Sequence, residues 1–487
     1  MGAASIGQRV AVNAAALAAG RVVLIVTGVV SVGLATRYLG VSTFGALATG
    51  TALLGVLGPL TDAGLVTVGA REMAKRPGEI DRLAGTIVAI GLILSLVAVA
   101  IGLGAAFLIY GHNEDAQQAL LLLMISVPAA APVGAANAYF LSQQKSYLAT
   151  LASVVGSLFT VALLVLAIWL DWGFAGIVLA YVANSLGYGA CLVALSLGRV
   201  SLRPVIDPEI WRPLVRWALP VGSAFFVHTL YFRIDLLMLS PLGTAQDVGF
   251  YGLVFRIVDA LYALPYVVAI TLMPELARLA DHRRRVDELM QKAFVVMALV
   301  AAPLLVLFLA FADQVVNAVA GPDFAGAAQI LRIVMVAVFF SYLCAVFLQA
   351  LIALNRQVRL LQLWLLVLAA NVVLNLVLIP PFGAVGAASA LVVTDALALA
   401  VAMALYRTLG SVPRPRGAGR LLLAAAAMAA VAFAASRLPW ADPAVLALGG
   451  ALSCAVYAAA LYALRAMPEE VHAGLVMPVV NRLSRRR

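Results

Sequence analysis

Residues 13–40, NAAALAAGRVVLIVTGVVSVGLATRYLG, decide the fold. An apolar run over 14–34 is interrupted once, by Arg21, and closes on Thr36-Arg37-Tyr38-Leu39-Gly40. A short turn over 41–45 leads into a second apolar run that reaches Gly69, just before Arg71-Glu72-Met73-Ala74-Lys75. Each run exceeds the roughly 20 residues an α-helix needs to cross about 30 Å of hydrocarbon. The stretch therefore predicts two membrane-spanning helices joined by a tight turn. Arg21 falls near the middle of the first. An arginine at that depth costs about 2.5 to 3.5 kcal/mol on insertion scales, so it is expected to face a wet cavity or a partner. The run is too long for a signal-peptide core and carries a charge inside it, so it reads as a retained span.

The rest of the chain extends this pattern. Its 487 residues are 64% hydrophobic and 11% charged, which excludes the soluble globular classes. Splitting at charged and Gly/Pro-rich breaks predicts an all-α polytopic protein of about fourteen spans. Twelve begin near Val10, Phe44, Leu83, Gln117, Tyr147, Gly173, Leu214, Val248, Ala293, Ala325, Val358 and Gly383, and the last two near Leu421 and Ala444. Basic residues gather at alternate ends: 71–82, Lys145, 199–216, 278–292, 356–359, 407–420 and the tail 465–487. By the positive-inside rule these ends and both termini are cytoplasmic, and Arg37 and Arg437 lie at outer ends. The formal net charge of +10 is thus a matter of topology, and the run His282-Arg283-Arg284-Arg285 suits an anionic inner leaflet better than a nucleic acid. Outer loops are expected to be short, the longest over about 313–323.

Cys191, Cys344 and Cys454 lie far apart in apolar runs, so neither a disulfide framework nor a thiolate metal site is expected. No Gly-rich phosphate loop with a lysine is present, and no cofactor is expected.

Arg21, Arg233, Arg256 and Arg332 interrupt apolar spans, and Asp62, Asp235, Asp259, Glu275 and Asp395 do so or lie at helix ends. Arg256 with Asp259, and Glu275 with Arg278, are three apart and can pair on one helical face. Arg233 and Asp235 are two apart, point to different sides and cannot simply neutralise each other. At about 1.5 Å per residue, Arg21 lies roughly 15 Å from the inner end of its span, and Arg233 and Arg256 roughly 10 to 14 Å from the outer ends of theirs. These three arginines can line one cavity, whereas Arg332 is near enough to an edge to snorkel. Asp62, Asp259 and Asp395 are candidates for ion coupling, or else they brace kinked helices. Pro59, Pro220 and Pro265 are candidate hinges, with static packing kinks as the alternative.

The chain repeats itself weakly. Tyr38-Leu39-Gly40 with Phe44-Gly45 recurs as Pro241-Leu242-Gly243 with Val248-Gly249. Trp172-Gly173-Phe174-Ala175-Gly176 recurs as Phe382-Gly383-Ala384-Val385-Gly386. Both copies start from the cytoplasmic side, so the repeats are parallel. The predicted organisation is a six-helix lobe over 1–198, a cytoplasmic linker over 199–213, a second six-helix lobe over 214–407, and two extra helices with a basic tail over 408–487.

Asn13, Arg37-Tyr38-Leu39-Gly40 with Phe44-Gly45, Asp62-Ala63-Gly64-Leu65 and Arg71-Glu72-Met73-Ala74 together resemble the N-terminus of the polysaccharide-export (Wzx-like) oligosaccharide flippases. These belong to the multidrug/oligosaccharidyl-lipid/polysaccharide (MOP) superfamily. The resemblance implies two six-helix bundles, often with two extra C-terminal helices, in the bacterial plasma (inner) membrane. It implies a transporter and not an enzyme, moving a polyprenyl-pyrophosphate-linked glycan from the inner to the outer leaflet. It admits other membrane proteins of polysaccharide assembly as partners. Cationic residues on the first, seventh and eighth helices correspond to Arg21, Arg233 and Arg256, which would hold the pyrophosphate. In the lipid II flippase branch the first turn usually continues into an Arg-Asp pair, whereas Val41-Ser42-Thr43 follows Gly40 here.

Rival readings are a lipid II flippase, a multidrug cation antiporter of the same fold, and a membrane glycan polymerase. The antiporters usually carry an acid in the first helix, where this chain has Asn13 and Arg21. A polymerase needs carboxylates or histidines on a sizeable exposed loop, and among the histidines only His228 falls within a span.

Overall fold

The first helix, α1 (Ala3–Asp62), is two spans in one, because at Gly40 the backbone turns to φ 72°, ψ 179° and then resumes as helix. Only a glycine takes that left-handed φ without strain, so the turn expected over 41–45 contracts to a single residue. The computed structural model describes residues 3–111, 113–262, 282–354, 356–413, 418–438 and 442–466, with 265, 272, 275, 276, 278 and 279 between; side chains of 3–18 and 357 are not described. Asn13, Arg9 and the basic tail beyond 466 thus lie outside what is described of side chains or chain.

Among the described residues, eleven helices are long and apolar enough to cross a membrane. Of these, 19–75 is broken at Gly40 and again at Ala63–Gly64, and 358–407 is broken at Gly383. The elements after α1 are α2 (Leu65–Lys75), α3 (Ile80–Leu108), α4 (Glu114–Met124), α5 (Ala130–Ser142), α6 (Ser146–Trp169) and α7 (Gly173–Ser196). Then come α8 (Pro208–Leu242), α9 (Ala245–Leu261), α10 (Arg283–Ala320), α11 (Ala327–Ala353), α12 (Gln357–Arg407), α13 (Ala418–Ala435) and α14 (Gly450–Ala463). Counting the halves of α1 and α12 separately, and joining α4 to α5, every predicted span has its helix. The eighth, α9, runs up to the sparsely described stretch over 263–281. The protein is a multi-pass membrane protein, and the described residues contain no strand. Helix is the open-chain way to satisfy every backbone group in hydrocarbon.

Two expectations are refined. The supposed outer loop over 313–323 is mostly helix: α10 passes a non-helical Phe311 and continues to Ala320, held by the buried Val316 and Ala320. The fourth span is interrupted by a 3-10 turn, Val127–Ala129, where Pro128 cannot donate to the helical ladder.

The chain divides into two compact units. The first comprises Met1–Ile257, Val319–Asp323 and Leu368–Ala387, and the second Val258–Ala318, Phe324–Val367 and Ala388–Arg487. In the first unit a core of Leu65, Met73, Leu83, Ile87, Ala135 and Leu214 joins α2, α3, α5 and α8. In the second, Met428, Tyr457 and Leu461 of the C-terminal helices pack against Leu299, Val306 and Leu307 of α10, and the Tyr457 hydroxyl donates to the Leu299 carbonyl at 3.1 Å.

Each unit contains a similar loop-to-helix bond. In the first, the Ser201 amide after α7 donates to Asp81 Oδ1 at the start of α3, at 2.8 Å. In the second, the Ser411 amide after α12 donates to Asp287 Oδ1 at the start of α10, also at 2.8 Å. Gly173 and Gly383, paired by the sequence comparison, both lie in the first unit and take positive φ, 65° and 53°.

Candidate functional site

Two of the anticipated arginines meet around one turn of α1. Arg256 on α9 donates through Nη2 to Thr51 Oγ1 at 2.7 Å and lies over the Tyr181 ring of α7, 5.8 Å from its centroid. Arg233 on α8 lies over Phe255, 5.5 Å from that centroid, and its Nε is the nearest atom, at 3.6 Å, to where a Cβ on Gly55 would stand. Thr51 and Gly55 are four apart and share a helical face. Thr51 Oγ1 donates to the Ala48 carbonyl at 3.0 Å, which orients its lone pairs toward Arg256. Both arginines are half-buried. Resting a guanidinium on an aromatic face contributes about 0.5 to 1 kcal/mol at a wet site and fixes the plane of the fork. Of the five N–H donors of Arg256, the bond to Thr51 occupies one, and a guanidinium with donors to spare has the chemistry to bond a charged oxygen.

The turn that carries this site lies between two close helix crossings, both within the first unit. At one, a Cβ on Gly45 would stand 2.8 Å from the Ala245 carbonyl oxygen and from the Gly249 nitrogen, and a Cβ on Gly249 would stand 2.1 Å from the Val41 carbonyl oxygen. At the other, a Cβ on Gly64 would stand 2.6 Å from the Ala218 carbonyl oxygen, and one on Gly222 would stand 2.2 Å from Ala63 C. Backbones approach this closely only where side chains are missing.

Arg21 is placed elsewhere. It is exposed on the first half of α1, next to Gly20, which abuts Thr150 and Val154 of α6, and no contact joins it to Arg233 or Arg256. Arg332 has a structural role in the second unit. It bonds Asp313 and, at 3.2 Å, the Leu309 carbonyl beside the break at Phe311. Glu275 and Arg278 pair at 2.7 Å.

Asp62 is half-buried and accepts from the Val66 amide at 2.9 Å, which starts α2 after Ala63 and Gly64. Asp259 is half-buried on the last turn of α9. Asp395 is 3% exposed in α12, beside the buried Cys344 of α11. Pro59 lies in the last turn of α1, and its carbonyl accepts from the Ala63 amide at 2.8 Å. Pro220 is exposed in α8, which stays helical through it, and Pro265 is buried.

A buried polar cluster escaped the sequence reading. Asp235 of α8 is fully buried and accepts from Tyr251 of α9 at 3.0 Å and from Asn375 of α12 at 2.6 Å. Asn375 Nδ2 also donates to Asn371 Oδ1 at 2.9 Å, while Asn375 Oδ1 is buried with no hydrogen-bond partner. A carboxylate and amide oxygens gathered in a low-dielectric interior form an oxygen donor set for a proton or a small hard cation. The signal was available: two asparagines four apart in an apolar run share one helical face.

Helices of membrane-spanning length, broken at Gly40, at Ala63–Gly64 and at Gly383, characterise the fold. Solved structures share this fold. "Lipid II flippase MurJ, inward closed conformation" is similar with a TM-score of 0.75 and 13% identity over 93% of this chain and 98% of that one. An inward-facing multidrug resistance MATE family transporter of the MOP superfamily gives 0.67 and 17% over 79% of this chain and 94% of that one. A MOP superfamily transporter from Pyrococcus furiosus gives 0.51 and 16% over 80% and 95%. No curated protein matches the chain. The family described as "Polysaccharide biosynthesis protein" matches residues 10–280, more than half of the chain, and "MatE" matches residues 220–380. The chain belongs to the polysaccharide biosynthesis protein family.

Proposed function

We propose that this protein carries a polyprenyl-pyrophosphate-linked oligosaccharide from the cytoplasmic to the outer leaflet of a bacterial plasma membrane, with both termini cytoplasmic. The observation that carries the reading is the pair Arg233 and Arg256, set around the Thr51–Gly55 turn between two close helix crossings. A pyrophosphate cannot enter hydrocarbon cheaply, whereas the polyprenyl tail can remain in lipid. Guanidinium forks bind phosphate oxygens bidentately. Arg21 contributes on the path of the headgroup, toward the inner end of its span. Alternation uses the repeats over 1–198 and 214–407, joined by 199–213, with 408–487 as an added module and Pro59, Pro220 and Pro265 as points of bending. The Asp235 cluster carries the coupling proton or cation, with Asp62, Asp259 and Asp395 as further candidates. A cationic drug would be repelled by the same arginines.

The test is leaflet transfer of a fluorescent polyprenyl-pyrophosphate oligosaccharide in proteoliposomes. Each charge-assisted bond is worth about 1.5 to 3 kcal/mol, so Arg233→Ala and Arg256→Ala are expected to slow transfer at least about tenfold. Equal transfer by the wild type and both variants, with all three folded, overturns the clamp.

A further inference from the structure

The first unit contains a cavity of about 360 Å³ that neither arginine lines. Its wall is formed by Ser42, Thr49, Asn113 and Ser240, with backbone around Gly45 and Gly243. It lies where the break after Gly40, the cap of α4 and the turn between α8 and α9 come together, beside the Gly45–Gly249 crossing.

The bonding of these side chains defines what the cavity accepts. Asn113 Oδ1 caps α4 by accepting from the Ala116 amide at 2.9 Å, which leaves its NH₂ as a donor. Thr49 Oγ1 donates to the Gly45 carbonyl at 3.0 Å and is fully buried, so it backs the wall without offering a ligand a group. Among the described residues, the Ser42 and Ser240 hydroxyls bond no protein group, and each can both donate and accept. The described lining thus offers donors and acceptors in mixture and no titratable group.

This chemistry excludes most ligands. An anion would be desolvated without a cation, and a polyprenyl chain would leave the hydroxyls and the amide unsatisfied. A compact ligand that itself mixes donors and acceptors without charge satisfies all of them, and the volume falls in the range of small-molecule sites, about 300 to 1,000 Å³. We propose that this cavity is a binding site for a neutral sugar. That the sugar belongs to the transported glycan rests on the flippase reading; the binding itself does not. The site then reads the glycan apart from the phosphates, and favours neutral over acidic repeat units.

The probes are maltose and N-acetylglucosamine as neutral sugars and glucuronic acid as the acidic one, observed by saturation-transfer NMR on the full chain in nanodiscs. The wild type is expected to bind at least one neutral probe and to bind glucuronic acid more weakly. Losing two hydroxyl bonds in Ser42→Ala/Ser240→Ala weakens the neutral probe about tenfold. Ser240→Phe fills the cavity and abolishes the signal, while an unchanged melting temperature shows that each variant is folded. No transfer from either neutral sugar, equal binding by wild type and Ser240→Phe, or stronger binding of glucuronic acid overturns the proposal. A parallel arm compares leaflet transfer of glycan-bearing and sugar-free polyprenyl pyrophosphate. A fall in that ratio in Ser42→Ala/Ser240→Ala places the sugar on the transported lipid. If the wild type binds sugar but transfers neither lipid, the flippase reading fails and the sugar site stands.

Discussion

Adding one methyl group at Gly249 tests the helix crossing beside the arginine site. The new Cβ would stand 2.1 Å from the Val41 carbonyl oxygen and 2.8 Å from Val41 Cγ1. Comfortable heavy-atom separations are about 3.5 Å, so the overlap exceeds about 1 Å against a backbone oxygen that cannot rotate away. α1 and α9 must therefore separate, and overpacking of this kind costs about 1 to 3 kcal/mol. Gly28 on α1 is the control, since a Cβ there meets nothing within 4 Å. Alanine at Gly28 is expected to be neutral or to gain about 0.5 to 1 kcal/mol through lower backbone entropy. The assay is unfolding of purified protein by SDS titration, followed by tryptophan fluorescence, for the wild type, Gly249→Ala and Gly28→Ala. Gly249→Ala should unfold at clearly lower SDS and transfer lipid more slowly, because separation at the crossing also shifts Arg256 away from Thr51. Wild-type stability in Gly249→Ala would refute the close backbone packing on which this reasoning depends.

Three further outcomes follow from other parts of the chain. Asp235→Leu removes the acceptor of the Tyr251 bond and one of the two acceptors of Asn375 Nδ2, at about 1 to 3 kcal/mol for a lost buried bond, whereas Asp235→Asn keeps an acceptor oxygen and should melt much nearer the wild type. If Asp235 carries the coupling ion, Asp235→Asn should nonetheless lose ion-dependent transfer, which proteoliposomes with and without an imposed gradient would measure. Arg82, bonded to Asp207 at 2.5 and 3.1 Å, holds that carboxyl below its ordinary value of 3.8. The bond's stabilisation is therefore complete above pH 3.8 and is lost as pH falls through the lower folded value. Protease resistance of the segment 199–207 should differ between wild type and Asp207→Asn at pH 7, and the difference should shrink only below pH 3.8. Finally, Asp81→Ala removes the acceptor of the Ser201 amide and should lower stability by about 0.5 to 1.5 kcal/mol in a melting experiment, whereas Asp287→Ala removes the acceptor of both the Ser411 amide and the Tyr406 hydroxyl and should cost more.

What could be read in the sequence divides along a physical line. Span positions were legible because a run of about 20 apolar residues has few fates other than crossing a bilayer. The breaks at Gly40 and Gly383 were legible as glycine-bearing turns because a left-handed φ selects that residue. The break at Val127–Ala129 was less so, since Pro128 sits inside an apolar run where a proline can also be accommodated, as Pro220 is in α8. The helical extent of 313–323 was hidden because its polar residues mark a membrane edge without saying whether the chain there is helix or loop.

The pair Arg233 and Asp235 shows most clearly where sequence reasoning stops. Their spacing of two residues already required them to face apart on α8. They do so: Arg233 turns to Phe255 and the Gly55 turn, and Asp235 turns to Tyr251 and Asn375. What the spacing could not supply is the identity of those partners, because Asn375 is 140 residues away in the chain. Two side chains of opposite charge, each costly in a membrane interior, are thus kept from cancelling and are given separate surroundings on one helix. One rests half-buried on an aromatic face, and as a guanidinium it favours a charged oxygen ligand. The other is sealed among neutral donors, where only a proton or a bare cation can neutralise it. Because both sit on α8, within a single turn, a rotation of that helix moves Arg233 and Asp235 together, and under the proposed function this would link lipid transfer to an ion.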